Sequence, residues 1–370
     1  MGDVAKSGPL QGLELEFIGD RLKKSVRRRD TFRGSFAALA GLAAATGVGR
    51  GVSASEAVAS LGLLPEDLPA KKYKAATSEV GAASTWVSHG MEVAKFYGDL
   101  LGVDVTSFDG EFSVEKQLQD MQTIATQDFD FVAVHPSASD ALVDAATQVI
   151  DSGKELIIMD TRLIQDPEEF AQFPYLTFLE PDNIYMGETV AKQLFDAIGG
   201  EGEVIHTQGQ LAHTGAQGRA LGFNNMLKQY PGIKVVDETP GDWKIDQVAS
   251  LWQDLLQRFP DVKGGFFHSD DMALAAASVV EAAGKQDQVK LVGVDGGKNA
   301  CEAIRDGKLL ASVINPSGRI HGGAIWAGYL SKSGTDMAKD GLPKFIRTDG
   351  GPITQANADG YIWLYDNMQY

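Results

Sequence analysis

GGFFHSDDMALAAASVVEAAG, residues 264–284, is followed closely by VKLVGVDGG, residues 289–297. Each segment carries a short apolar run of strand length that stops abruptly on small and acidic residues: Ser269, Asp270 and Asp271 in the first, Asp295 in the second. The Ala-rich stretch between them reads as a helix. Strand, helix, strand in this order is a parallel α/β unit, and in a parallel sheet the carboxyl ends of the strands face the crevice where ligands bind. Polar groups at those ends are presented to a ligand rather than packed away. Asp270 and Asp271 form an adjacent acid pair, which invites comparison with a glycosidase. Neighbours in a first helical turn point about 100° apart and do not flank one bond, so an N-cap plus a first-turn acid is the preferred reading for at least one of them.

The same alternation extends in both directions. Apolar runs at 72–77, 103–108, 129–134, 155–159, 203–207, 234–237, 265–268, 290–294 and 311–314 read as strands, with amphipathic segments between them. In one of these, Ile245, Val248, Leu251, Trp252, Leu255 and Phe259 recur at helical spacing. Parallel sheets with right-handed crossovers follow. A chain of 370 residues exceeds one hydrophobic core, and the alternation falls into two blocks. The expected fold is α/β, two doubly wound parallel-sheet lobes joined by a multi-strand hinge. The first lobe takes residues 72–179 plus about 315–345, and the second takes 180–314 plus about 346–370. FLEPDN, residues 178–183, reads as a crossing segment in which a proline ends a strand and Asp182 or Asn183 caps a helix.

The N-terminus has a different character. VRRRDTFRG, residues 26–34, leads into the Ala/Gly-rich SFAALAGLAAATGVG, and Val52-Ser53-Ala54 supplies a small-x-small cleavage signature. Together they read as an export signal over 1–54, of the twin-arginine class through Arg28 and Arg29, with a leader at 55–71. The apolar run, about 15 residues, is shorter than the roughly 20 needed to span a bilayer. The net charge of −17 becomes −21 without the signal, which carries nine Lys/Arg and five Asp/Glu. Such a surface lacks the basic footprint that nucleic acid requires. The single cysteine, Cys301, forms no intramolecular disulfide.

Enzyme signatures are mostly missing: there is no GxxxxGK[ST], HExxH, CxxC or GxSxG. His135, His206 and His268 each sit at or near a strand end, which raises the question of a metal. The ligand spacing of zinc sites is not reproduced, so they read as hydrogen-bonding groups in a polar crevice, with no metal or cofactor expected.

With these features assembled, the chain resembles the type I periplasmic sugar-binding proteins of ABC transporters, most closely the ribose-binding branch. The likeness covers about residues 72–314 well and rests first on HSDDMALAAASVVEAAGKQDQVKLVGVDGG. VAVHPSASDA, LIIMDTR, EPDNIYMGE and HTQGQLAHTGAQGRALGF support it. The resemblance implies a ligand set. Trp86 and Trp243 match the family's aromatic positions, and Asp160, Arg219 and Asp295 its charged ones. His135, Ser269 and Asn315 fall where the family commonly carries Asn or Gln. The family's aspartate-arginine dipeptide is here Asp160-Thr161-Arg162, so Thr161 takes the arginine's place or the register shifts by one, and both residues stay in the set. With one aromatic of the first loop gone, in Ala82-Ala83-Ser84-Thr85-Trp86, and amides replaced, the expected ligand is a sugar other than ribose or a linear sugar alcohol.

The resemblance further implies a non-enzymatic, monomeric receptor in the periplasm or another extracytoplasmic space. It would deliver its ligand to a permease and its ATPase. An exported carbohydrate-active enzyme using Asp160, Asp270 or Asp295, and a sugar sensor for a chemoreceptor or sensor kinase, are the alternatives. A sugar-responsive repressor would need a helix-turn-helix where this chain has its signal.

Overall fold

The structure is a computed structural model and describes residues 70–334 and 341–367. The expected export signal and most of the leader lie outside the described residues.

The first lobe is a six-stranded, wholly parallel sheet in the order β11-β5-β4-β3-β1-β2. Its strands are β1 (Tyr73–Glu79), β2 (Val103–Asp109), β3 (Phe131–Val134), β4 (Glu155–Met159), β5 (Thr177–Glu180) and β11 (Phe345–Arg347). Period-two alternation sends neighbouring apolar residues to opposite faces. Ala75, Phe131, Ala133, Ile157 and Met159 meet α1 (Thr85–Leu101) and α10 (Ser317–Ser333) on one face. Ala76, Val132, Val134, Leu156 and Ile158 meet α2 (Val114–Thr126), α3 (Val143–Asp151) and α4 (Pro167–Gln172) on the other. Both faces are covered, so these strands read as continuous apolar runs.

The second lobe repeats the design with the parallel order β7-β6-β8-β9, made of β6 (Glu201–Thr207), β7 (Gly232–Asp237), β8 (Gly264–Phe267) and β9 (Lys290–Val292). Val204 and Phe266 pack on α5 (Asn183–Ala197) and α6 (Thr214–Leu227). Ile205 and Phe267 pack on α7 (Ile245–Arg258), α8 (Asp270–Ala282), α9 (Lys298–Arg305) and α11 (Ala358–Asn367). β10 (Ser312–Val313) pairs antiparallel with β12 (Pro352–Ile353).

The chain passes between the lobes three times: from β5 into α5, from β10 into α10, and from β11 to β12. At the first crossing Asp182 is the cap, accepting from Tyr185 N–H at 2.9 Å. Thr177–Glu180 is more than a crossing segment. It is a full strand, hydrogen-bonded between β4 and β11. The tail also changes lobe slightly later than expected, because Phe345–Arg347 belongs to the first sheet.

Candidate ligand-binding site

A cavity opens between the lobes at the carboxyl ends of both sheets. The first lobe contributes Val80, Ser84, Trp86, Val87, Phe112, His135 and Asp160, and the second His213, Arg219, Trp243, Ser269 and Asp295, with Asn315 at a crossing. Two carboxylates reach it through unusual backbone. Asp160, one residue past β4, has φ +58°, and Asp295, past β9, has φ +120°. Non-glycine residues rarely adopt such angles, and they persist where the surroundings over-determine them. The surroundings do so here, because Asp160 N–H donates to Leu179 O at 2.7 Å and Asp295 N–H to Val313 O at 2.9 Å.

The aromatic residues are held equally firmly. Trp86 lies in the first turn of α1 and donates its indole N–H to Asn315 O across the crossing, at 2.8 Å. Trp243 also has positive φ, +59°, and its ring lies against Gly209, where a Cβ would collide with it. Arg219 is fixed from behind. Its Nε donates to Asn183 Oδ1 at 3.1 Å, one Nη donates to His268 O, and the same nitrogen stands 3.6 Å from Asp295 Oδ1. The depth of this arginine depends on Gly187 and Gly222, which let α5 and α6 meet backbone to backbone. Asn315 donates its amide to Asp160 Oδ1 at 3.1 Å, and its own Oδ1 is buried without a protein partner. A buried acceptor left in this way is costly unless a ligand donates to it.

Charges in the first lobe form a connected file. Glu79 Oε2 lies 3.3 Å from His321 Nε2 and 3.8 Å from His135 Nδ1, and His135 Nε2 lies 3.4 Å from Asp160 Oδ2. Burial alone would discharge Glu79, His135 and Asp160, yet the pairing outweighs it. Glu79 is held down to about 2 by His321 and His135. His135 is raised to about 9 by Asp160 and Glu79. Asp160 is held below the usual carboxylate range by His135, His213 and Arg219. On the opposite wall burial prevails. It drives Asp295 well above its ordinary value against the pull of Arg219, and it takes His213 down to about 3, with Asp160 opposing only in part.

His135, Asp160 and His213 are spaced as three ligands of one metal ion would be. The hydrogen bonds favour another chemistry. Gly215 N–H donates to His213 Nδ1 at 3.1 Å, which engages that lone pair and puts the ring proton on Nε2, the atom facing Asp160. The imidazole in this setting donates rather than coordinates.

The residues expected at the site divide by position. Trp86, His135, Asp160, Arg219, Trp243, Ser269, Asp295 and Asn315 line the one cavity. Thr161 stands behind it, its hydroxyl hydrogen-bonded to His213 and 3.4 Å from Asp160 Oδ2. Arg162 is outside the lining. Its backbone N–H donates to Thr214 Oγ1 at 3.0 Å, and its guanidinium reaches Gln165 O at 3.4 Å. Of the acid pair, Asp270 is turned into the second lobe, accepting from Gly297 N–H and Ser312 Oγ at 2.9 and 2.7 Å. Asp271 reaches the first lobe instead. The cap of α8 is Ser269, which accepts from Met272 N–H at 3.3 Å.

Phe112 and His213 were not read from the sequence. His213 caps α6 in the loop after β6, so the general rule that strand-end loops face the crevice was the signal available for it.

Comparison with known proteins agrees with this geometry. The family model described as a periplasmic binding protein domain matches residues 80–335. A D-allose-binding periplasmic protein of Escherichia coli is 28% identical over 69% of this chain and 83% of its own length. A xylitol-binding protein of Mycolicibacterium smegmatis is 25% identical over 75% and 76%. Among solved structures, an ABC transporter solute-binding protein from Mycobacterium smegmatis with bound glycerol superposes with a TM-score of 0.70 at 26% identity, covering 78% of this chain and 96% of that one. Matched over most of its length, and built as two parallel lobes around a polar cleft, the chain belongs to the periplasmic binding protein family.

Proposed function

We propose that the protein captures a sugar or sugar alcohol between its two lobes and delivers it to the permease of an ABC importer, whose ATPase drives uptake. The observation that carries this reading is the make-up of the cleft. Asp160, Asp295, Arg219 and the buried amide of Asn315 converge from both lobes on a cavity walled by Trp86 and Trp243. Hydroxyl groups around a ligand's edge satisfy charged donors and acceptors strongly, and its C–H faces suit indole rings. D-allose and xylitol, for which those two relatives are named, belong to that chemical class.

The same groups account for transport without catalysis. Asp160 and Asp295 are held by opposite lobes, so a ligand that bonds both stabilises the closed form over the open one, which is what differential binding requires. Asp270 and Asp271, the pair that suggested hydrolysis, are engaged elsewhere in the fold. We therefore read the protein as a non-enzymatic, monomeric receptor, exported to the periplasm. Among the described residues no helix is long and apolar enough to cross a membrane.

A thermal-shift screen against pentoses, hexoses, tetritols, pentitols, hexitols and inositols tests the reading. A ligand at about a hundred times its Kd adds about 2.7 kcal/mol of stability. A clear rise in Tm with at least one of these compounds is expected. No rise with any of them contradicts the reading.

A further inference from the structure

The histidine that the second lobe places against the first has a geometry beyond that of a helix cap. His213 is 3% exposed and its Nε2 lies 3.8 Å from Asp160 Oδ2 and 3.4 Å from His135 Nε2, both residues of the other lobe. Its ring has little freedom. Gly215 N–H pins Nδ1, Trp243 packs edge-on with centroids 4.7 Å apart, and His135 packs edge-on at 5.6 Å. An entering ligand therefore meets a fixed wall on this side, held also by Thr161, whose hydroxyl is hydrogen-bonded to Nε2.

A ligand hydroxyl that donates to Asp160 lies beside this ring, whose two nitrogens are both taken by protein partners, Gly215 N–H and the Thr161 hydroxyl. We propose that His213 is a specificity-determining residue of the cleft: its immobilised ring sets how far a polyhydroxylated ligand extends beside Asp160 when the lobes close. This rests on the cleft being the ligand site. A flat, immobilised ring stops a ligand that is one carbon too long by steric exclusion.

The cap role and the ligand role separate by substitution. His213→Ser keeps an oxygen at the cap position, where serine serves well, and removes the ring. Isothermal titration of the wild type and H213S against ligands differing by one carbon, tetritols to hexitols and pentoses to hexoses, reads the ratio of affinities within each pair. The ratio is expected to move by about tenfold toward the longer member in H213S, because one methylene in a shaped pocket commonly controls at least that much. If the folded H213S binds none of them, the ratio is read from His213→Gln, whose amide is a smaller donor. Equal loss for both members, or no change, overturns the proposal while leaving the transport reading intact. A wild type that binds no member of the panel overturns both.

Discussion

Asp271, in the first turn of α8 in the second lobe, accepts two hydrogen bonds from Thr85, which opens α1 in the first lobe: from its backbone N–H at 2.9 Å and from Oγ1 at 2.8 Å. The residue before it, Ser84, stands at the N-cap of α1 but makes no side-chain cap bond. A helix start needs acceptors for its free N–H groups. Here the acceptor comes from the opposite lobe, so α1 is capped by closure itself.

Asp271→Ala removes that cap without touching the cavity lining. A cap contributes on the order of 1 kcal/mol, so ligand affinity should fall about fivefold, with the apo Tm hardly changed because the open form never used the contact. Calorimetry on the variant checks this. An unchanged Kd would show that Asp271 and Thr85 do not contribute to closure.

Asp295→Ala tests the second-lobe wall. Asp295 lies beside Arg219 and at the strand end that turns into the cleft. Loss of the carboxyl group that meets ligand hydroxyls should abolish the ligand-induced rise in Tm while the apo protein stays folded. An unaltered rise would remove Asp295 from the site.

Gly187→Ala should act on Arg219 from a distance. A Cβ at Gly187 would collide with the carbonyl oxygen of Arg219, so α5 and α6 must separate. Overpacking of this kind costs about 1–3 kcal/mol. Both a lower Tm and a weaker Kd are expected, and a variant with unchanged affinity would mean that the arginine's depth is not critical.

Glu180, at the end of β5, carries a pH signature. Burial raises it to about 7, against Arg162 and Arg347, which pull it down. An acid with a folded pKa above its ordinary 4.5 favours the protonated fold. Its contribution is therefore best below pH 4.5, declines as pH rises toward 7 and is flat beyond. The penalty at pH 8 is of the order of 3 kcal/mol. Glu180→Gln should raise Tm at pH 8 and leave it nearly unchanged at pH 4.5, as measured by calorimetry at the two values. Equal effects at both would contradict the burial argument.

The two lobes and most of the cavity lining were legible because strands buried on both faces leave unmistakable apolar runs, as in Phe131–Val134 and Glu155–Met159, each stopped by a polar strand end. β11 and β12 were not legible. Phe345–Arg347 is only three residues long at a sheet edge and Pro352–Ile353 only two, too short for any period to register. The ambiguity over Asp160, Thr161 and Arg162 was a matter of direction. The positive φ of Asp160 turns its carboxylate into the cleft, a backbone fact that no residue pattern reports. His213 was missed because it belongs to a loop and acts on the other lobe, a juxtaposition created only by tertiary structure. Likewise Asp270 and Asp271 are adjacent in the chain but face different partners, one inside its own lobe and one across the cleft.

Capture as proposed requires that one ligand be held by both lobes at once. Small-angle X-ray scattering of the protein, titrated with the best compound from the thermal-shift screen, tests it most directly. A smaller radius of gyration on saturation is predicted, reduced in extent in Asp271→Ala. Saturation with no change in the scattering curve would place the ligand on a single lobe and contradict capture between the two.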